Sequence, residues 1–410
     1  MNSMLLPRRL LFSSHAHFIS NPLRGMLVAC FVSFACGTIS PALAEDITYR
    51  GSSGDLQDPP AYLGGGSKNT LAPAGYTRIT NNTITIDYSS GTDPENVWGG
   101  YSANGSVTSN RVTLQNGKVK NLHGGYSNRG NVTNNTVTIN GGIVDMVTGG
   151  TSDRGSAVGV SGKSSNRGSA TNNTVSISDG IVDMVTGGYS REGTATGNTV
   201  TISGGTVHGD VDGGFSMHGN ATGNAVIISG GAVRSGVDGG FSMHNSATAN
   251  TVTLKNASVG KKIVGGAGAR KAGAATGNTV TLSGEITFVL STDILGGRGA
   301  TVSDNTLNLV RFKQMGAGRV GRVGNFDRLH FSGLKAGQTN AVLTAADVNL
   351  DNSRTTLQFD GKPGTVRLIE ARNLRTVNAR IDPVEYGGVR YGFHWDSNGN
   401  AVVGNSGVGE

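Results

Sequence analysis

The residue types in this chain most suited to chemistry fall in a duplicated octapeptide, Val-Asp-Gly-Gly-Phe-Ser-Met-His, at residues 211–218 and 237–244. If the two copies lie in register one strand spacing apart, ~4.8 Å, Asp212 stands over Asp238 and His218 over His244. Two imidazoles at that separation could share a metal at bonds of ~2.0–2.1 Å. The plainer alternative is a solvent-facing ladder copied by duplication, with no metal and no cofactor. The types Ser216, His218 and Asp also match a nucleophilic triad. Serine recurs at the same register as Ser102, Ser127 and Ser190 without a histidine, so it reads as framework and no catalytic residue is assigned. The run Gly209-Asp-Val-Asp-Gly-Gly214 does not match the calcium-binding Gly-Gly-x-Gly-x-Asp nonapeptide. Polysaccharide cleavage would need carboxylates, or a carboxylate with Arg or Lys, converging in one groove. Asp145 and Asp183 occupy equivalent repeat positions, but no second group is expected beside them.

The elements that position these residues follow from a repeat. In Asn198-Thr-Val-Thr-Ile-Ser203 polar and apolar residues alternate, which puts Val200 and Ile202 on one face of a half-buried strand. Gly204-Gly205 turns the chain, an extended run carries Val207 and Val211 back along the core, and Gly213-Gly214 closes the unit. The leading Asn recurs as Asn82, Asn110, Asn135, Asn173, Asn198, Asn224, Asn250, Asn278 and Asn305. The spacings of 28, 25, 38, 25, 26, 26, 28 and 27 define a unit of about 26 residues, with a 13-residue excess within 155–168 that reads as a surface loop. Short strands, glycine corners and no helical period predict an all-β fold, a parallel β-solenoid (β-helix) of about nine coils with a C-terminal β cap. The asparagines should form a ladder along the axis, with Tyr101 stacked on Tyr126 and Phe215 on Phe241. Outward Thr83/Thr85, Thr136/Thr138, Thr199/Thr201, Thr251/Thr253 and Thr279/Thr281 make a Thr-x-Thr array like those of ice-binding solenoids, interrupted at Arg111, at Ala225 with Ile227, and at Asn308. Threonine also simply suits exposed strand positions.

Composition agrees with a thin, long core. Glycine supplies 66 of 410 residues, and no proline occurs between Pro94 and Pro363, where ladder N–H groups are needed in every coil. Basic residues precede a mainly apolar run at 26–36, too short to span a bilayer, and Ala42-Leu43-Ala44 follows. Residues 1–44 therefore read as a secretory signal peptide cleaved before Glu45. Its removal takes Arg8, Arg9 and Arg24, leaving 31 basic against 27 acidic residues, a net +4 that is too mild to imply a nucleic-acid partner. Both cysteines, Cys30 and Cys36, fall within that segment, so the mature chain is expected to contain no disulfide. Residues 45–75 read as a flexible leader or N-terminal cap, 76–310 as the repeats, and 311–410 as the C-terminal β cap. The basic stretch Arg311, Lys313, Arg319, Arg322 and Arg328 reads as a solvated loop, with contact to an anionic surface as the alternative. Residues 391–395 and 401–403 flank Asp396-Ser-Asn-Gly-Asn400, the pattern of a hairpin.

The recurring Gly-Asn-Ala-Thr-Gly-Asn-(Thr/Ala)-Val-x-Ile-Ser-Gly-Gly, followed by Val-x-Gly-Gly-(Tyr/Phe)-Ser, resembles the repeat of bacterial autotransporter (type V secretion) passenger domains, which are adhesin-like. The resemblance covers about residues 76–403. It extends to the aperiodic end, Leu329-His-Phe through Val366-Arg-Leu-Ile-Glu370 to Tyr391-Gly-Phe, which is similar to the segment that precedes the translocator in that family and helps the passenger fold. It implies a non-catalytic, exported surface or secreted module with an adhesive role, whose partners are a host or neighbouring-cell surface glycan or protein. In that family the pattern continues into an outer-membrane translocator barrel, and no run of amphipathic membrane strands is found up to Glu410. The expectation is a barrel supplied separately or encoded downstream, or residence in the periplasm without one. The alternative functions are a β-helix enzyme acting on a polysaccharide and an ice-binding solenoid.

Overall fold

The computed structural model describes residues 46–50, 62–64, 78–90, 93–94, 96–102, 105–153, 168–382, 385–386, 388–395 and 401–405. The expected signal peptide and the expected surface loop within 155–168 lie outside the described residues, apart from Gly168 at the loop's end. Among the described residues the fold is all-β, a parallel β-solenoid of about 11 turns.

One coil illustrates how the sequence builds it. Ala195–Thr196, Thr199–Ile202, Thr206–Val207, Val211–Asp212 and Phe215–Ser216 are its strands. In Thr199–Ile202 the alternation leaves the threonines half-buried and Val200 and Ile202 fully buried. Each coil lies on the next in parallel with like residue over like. Val175, Val200, Val226, Val252 and Val280 are successive partners, as are Ile177, Ile202, Ile228, Leu254 and Leu282. A second sheet of nine short strands, from Arg78–Thr80 to Thr301–Ser303, closes the tube. Its inward column narrows from Val107 and Val132 to Ala170, Ala195, Ala221, Ala247 and Ala275, all fully buried.

The asparagine ladder is present as expected. Asn198 donates from Nδ2 to Asn224 Oδ1 at 2.9 Å and to the Ala170 carbonyl at 3.0 Å, and its backbone N–H reaches the same Asn224 oxygen at 3.0 Å. Equivalent side-chain bonds link every successive pair from Asn82 to Asn305. The ladder ends where the Asn305 N–H donates to Asp327 Oδ2. The residue before each ladder asparagine takes a left-handed φ, between 53° and 66°, which Asn and Gly tolerate best. The corner pair Gly213-Gly214 meets a different demand. A Cβ at Gly213 would lie 2.2 Å from the Gly239 carbonyl oxygen, and one at Gly214 would lie 2.3 Å from Asn224 Oδ1. These glycines admit the next coil's backbone and the ladder amide.

In place of the expected single run from Thr206 to Val211, two strands flank a bulge. Val182 and Val185, three residues apart, face Val207 and Val211, four apart, so one extra residue is accommodated at residues 208–210. The coil count is also corrected, from about nine to about 11. Stacking does not stop at residue 310. Arg328–Leu334, Arg354–Phe359 and Arg380–Asp382 extend one face in parallel, while Val320–Gly324, Leu343–Asn349 and Arg367–Arg375 extend another. The segment 311–382 is therefore solenoid and not cap.

The expected solvated basic loop is likewise corrected, since its charges stand on or beside strands and meet acids. Arg311 pairs with Asp360, Lys313 with Glu285, Arg322 with Asp293 and Arg328 with Asp304. At the C-terminal end the strands beyond residue 382 pair antiparallel. Val389–Trp395 and Ala401–Asn405 form the expected hairpin, and the latter strand pairs antiparallel with Arg367–Arg375. At the other end Asp46–Tyr49 lies parallel to Thr83–Asp87, and Tyr62–Gly64 pairs antiparallel with Asn96–Trp98.

Candidate functional site

The stacking brings the duplicated aspartates together inside one column. His123, Thr148, Thr186, Asp212, Asp238, Val264 and Leu295 are successive partners at the same corner of successive coils. All seven are buried. Asp238 is 1% exposed and Asp212 9%. Val264, Leu295, Ala267 and the flank of Phe241 form a small apolar cluster next along the column. Two carboxyl groups are thus held one strand spacing apart where water is largely excluded.

The cation that answers them comes from the following coil. Lys262 Nζ lies 2.5 Å from Asp238 Oδ2 and 3.8 Å from Asp210 Oδ2. Asp210 is half-exposed and accepts the Gly236 N–H at 2.8 Å. Burial pushes the Asp212 carboxyl well above its ordinary range, and the neighbouring Asp238 charge pushes it further. Burial raises Asp238 as well, with Lys262 pulling in the opposite sense. Burial alone would lower Lys262, but the Asp238, Asp210 and Asp212 charges outweigh it and the ammonium is favoured. Asp238 Oδ1 is buried with no hydrogen-bond partner.

His218 and His244 stack as the repeat foretold, with ring centroids 4.8 Å apart and planes 7° from parallel, but both are exposed. In parallel rings the in-plane nitrogen lone pairs run side by side and do not converge on one point, and zinc needs such convergence. Among the described residues no group of three or more His, Cys, Asp or Glu side chains is gathered for a metal. The four residues read as one site are thus two separate stacked pairs, the aspartates buried and the histidines exposed.

The remaining candidates also find their places. Ser216 Oγ donates to the Gly193 carbonyl and accepts the Gly219 N–H, both at 2.8 Å. Ser127, Ser190 and Ser242 repeat this arrangement, so the hydroxyl braces the corner as framework. Asp145 and Asp183 lie on exposed positions of the paired strands Ile143–Thr148 and Ile181–Thr186. His208 Nδ1 stands 3.3 Å from Asp183 Oδ1, a neighbour the sequence reading did not supply. The threonine face is broken at the expected points, with Arg111 beside Thr136, Ala225 and Ile227 beside Thr199 and Thr201, and Asn308 beside Thr281.

The sequence reading missed Lys262 and Asp210. The signal was available in the register, since Lys262 occupies the rung position of Gly236 and Val264 that of Asp238. It also passed over an outward apolar patch. Ile143 lies over Ile181 and Met146 over Met184, and Ile143, Ile181 and Met184 are each a little over two-fifths exposed. A comparison with protein-family models and with curated proteins found no match. The class defined here is that of the parallel β-solenoids, with a buried acid–lysine cluster.

Proposed function

We propose that the chain is a non-catalytic module, exported to the cell surface or secreted, that acts as an adhesive passenger of the autotransporter type. The observation that carries the adhesive reading is the outward patch Ile143, Ile181 and Met184 on a repetitive wall. Exposed apolar side chains stacked on neighbouring coils suit contact with another macromolecule. The regular wall around them offers many equivalent weak contacts, from which avidity arises without any single strong site. The export reading rests on the signal-like residues 1–44 and on the repeat's resemblance to passengers. A host or neighbouring-cell glycan or protein is the proposed partner, with an outer-membrane barrel as translocator.

The test is retention of the purified chain on cell surfaces and on arrays of surface glycans and proteins. Ile143→Lys combined with Ile181→Lys is expected to lower retention at least several-fold while the β-sheet circular dichroism spectrum is unchanged. Release of reducing sugar from a polysaccharide, abolished by Asp183→Asn or Asp212→Asn, would contradict the non-catalytic reading.

A further inference from the structure

We propose that Lys262 and Asp238 condense within the folded chain to form an intramolecular amide bond that covalently joins two adjacent coils, with the Asp212 carboxyl as the proton carrier. The geometry is that of a poised reaction. Lys262 Nζ lies 2.5 Å from Asp238 Oδ2 in a site where the Asp238 side chain is 2% exposed. The contact is held from both directions. A Cβ at Gly236 would lie 2.3 Å from Lys262 Cε and 2.5 Å from its Cγ, so the glycine lets the lysine stem run flat across the rung beneath it towards Asp238. Asp212, the rung partner of Asp238, supplies the third group. Holding nucleophile and electrophile together in this way removes much of the entropic part of the barrier.

The step balances without any oxidant or co-reactant. The ammonium passes one proton along its hydrogen bond to Asp238, giving an amine and a carboxylic acid. The amine nitrogen attacks Cγ of Asp238, and the N–C bond forms. Asp212, whose carboxyl burial and the neighbouring Asp238 push well above its ordinary range, donates its proton to the departing hydroxyl. The C–O bond breaks, water leaves, and Asp212 recovers a proton from the new amide nitrogen. One amide and one water replace the ion pair. The exchange removes a buried carboxylate and a partly buried ammonium, whose desolvation opposes the unreacted state, and leaves Asp238 with one oxygen in a place where Oδ1 has no partner. It also gives a chain with no cysteine after residue 36 a covalent tie between coils.

Peptide mapping of the full folded chain by mass spectrometry tests this directly. Trypsin cannot cut after an acylated lysine, so peptide 235–255 is expected joined through Lys262 to peptide 262–270, lighter than their sum by one water. Lys262→Arg keeps the charge and should abolish the joined species, and its thermal midpoint should fall below that of the parent. Asp212→Asn should abolish or greatly slow joining although both reacting groups remain. A parent chain with native β-sheet circular dichroism that yields peptide 235–255 free and is cleaved after Lys262 would overturn the proposal. Joining at an undiminished rate in Asp212→Asn would overturn the role given to Asp212.

Discussion

Asn198 shows how one side chain is made indispensable by its place in a stack. It gives both amide hydrogens to buried oxygens, and its own oxygen accepts from the Asn173 side chain and backbone. Asn198→Ala would strand the Asn173 side-chain and backbone donors in one neighbouring coil and take a donor from Asn224 Oδ1 in the other, and each buried unmet group costs ~1–3 kcal/mol. Chemical denaturation is expected to show a loss of several kcal/mol. Ala249 makes the opposite case. It sits in the left-handed region with φ 54°, where its counterparts are Asn, Ser, Gly or Asp. Ala249→Asn should therefore stabilise, by up to about 1 kcal/mol, read as a raised thermal midpoint.

His123 adds a pH dependence at the same scale. Burial lowers its pKa to about 4, against about 6.5 when unfolded. Both states are neutral above pH 6.5, so its contribution is complete there. As pH falls from 6.5 towards 4 the unfolded state alone gains the proton, and about 3 kcal/mol is lost. His123→Thr, which matches Thr148 and Thr186 in the column, should flatten the denaturation midpoint across that interval. The raised carboxyl of Asp212 acts in the opposite sense, favouring the folded state below the ordinary carboxylate range and losing that effect as pH rises through its folded value. The two contributions therefore separate by variant.

At the scale of the element, the strands were legible because their information is local. Alternation in Asn198-Thr-Val-Thr-Ile, and the same pattern about 26 residues away, fixed both the buried face and the register. The corner glycines were legible as corners but not for their reason, since the close approach of Gly239 oxygen to Gly213 exists only once coils are stacked. Gly213→Ala should consequently be far more damaging than Gly223→Ala, whose Cβ would meet nothing within 4 Å and whose φ of 64° costs ~1–2 kcal/mol. Limited proteolysis of the two variants separates these outcomes. The buried site was half legible: duplication revealed Asp212 over Asp238, whereas Lys262 arrives from a coil whose octapeptide has diverged. The last coils were hidden because Asp327 and Ser353 stand where the repeat would set asparagine, and because the second sheet ends at Thr301–Ser303.

Taken as a whole molecule, the described residues between 78 and 382 form a nearly one-dimensional stack in which the strands of each coil pair with those of its neighbours. Deleting residues 199–224, one full coil of 26 residues, rejoins Asn198 to Ala225 in register and should leave a chain that folds with a modestly lower midpoint. Deleting 199–211 removes half a coil, inverts the remainder against its neighbours and should abolish cooperative unfolding. Register itself is most directly tested by paired cysteines, made in a chain carrying Cys30→Ser and Cys36→Ser. Thr201 and Ile227 are rung partners, and Ile227 is in turn the partner of Thr253. Disulfides need Cα atoms within roughly 7 Å, which one strand spacing satisfies and two exceed. Mild oxidation is expected to link Thr201→Cys to Ile227→Cys within one chain and to leave Thr201→Cys with Thr253→Cys unlinked. Efficient linking of the second pair, or none in the first, would contradict the stacked solenoid.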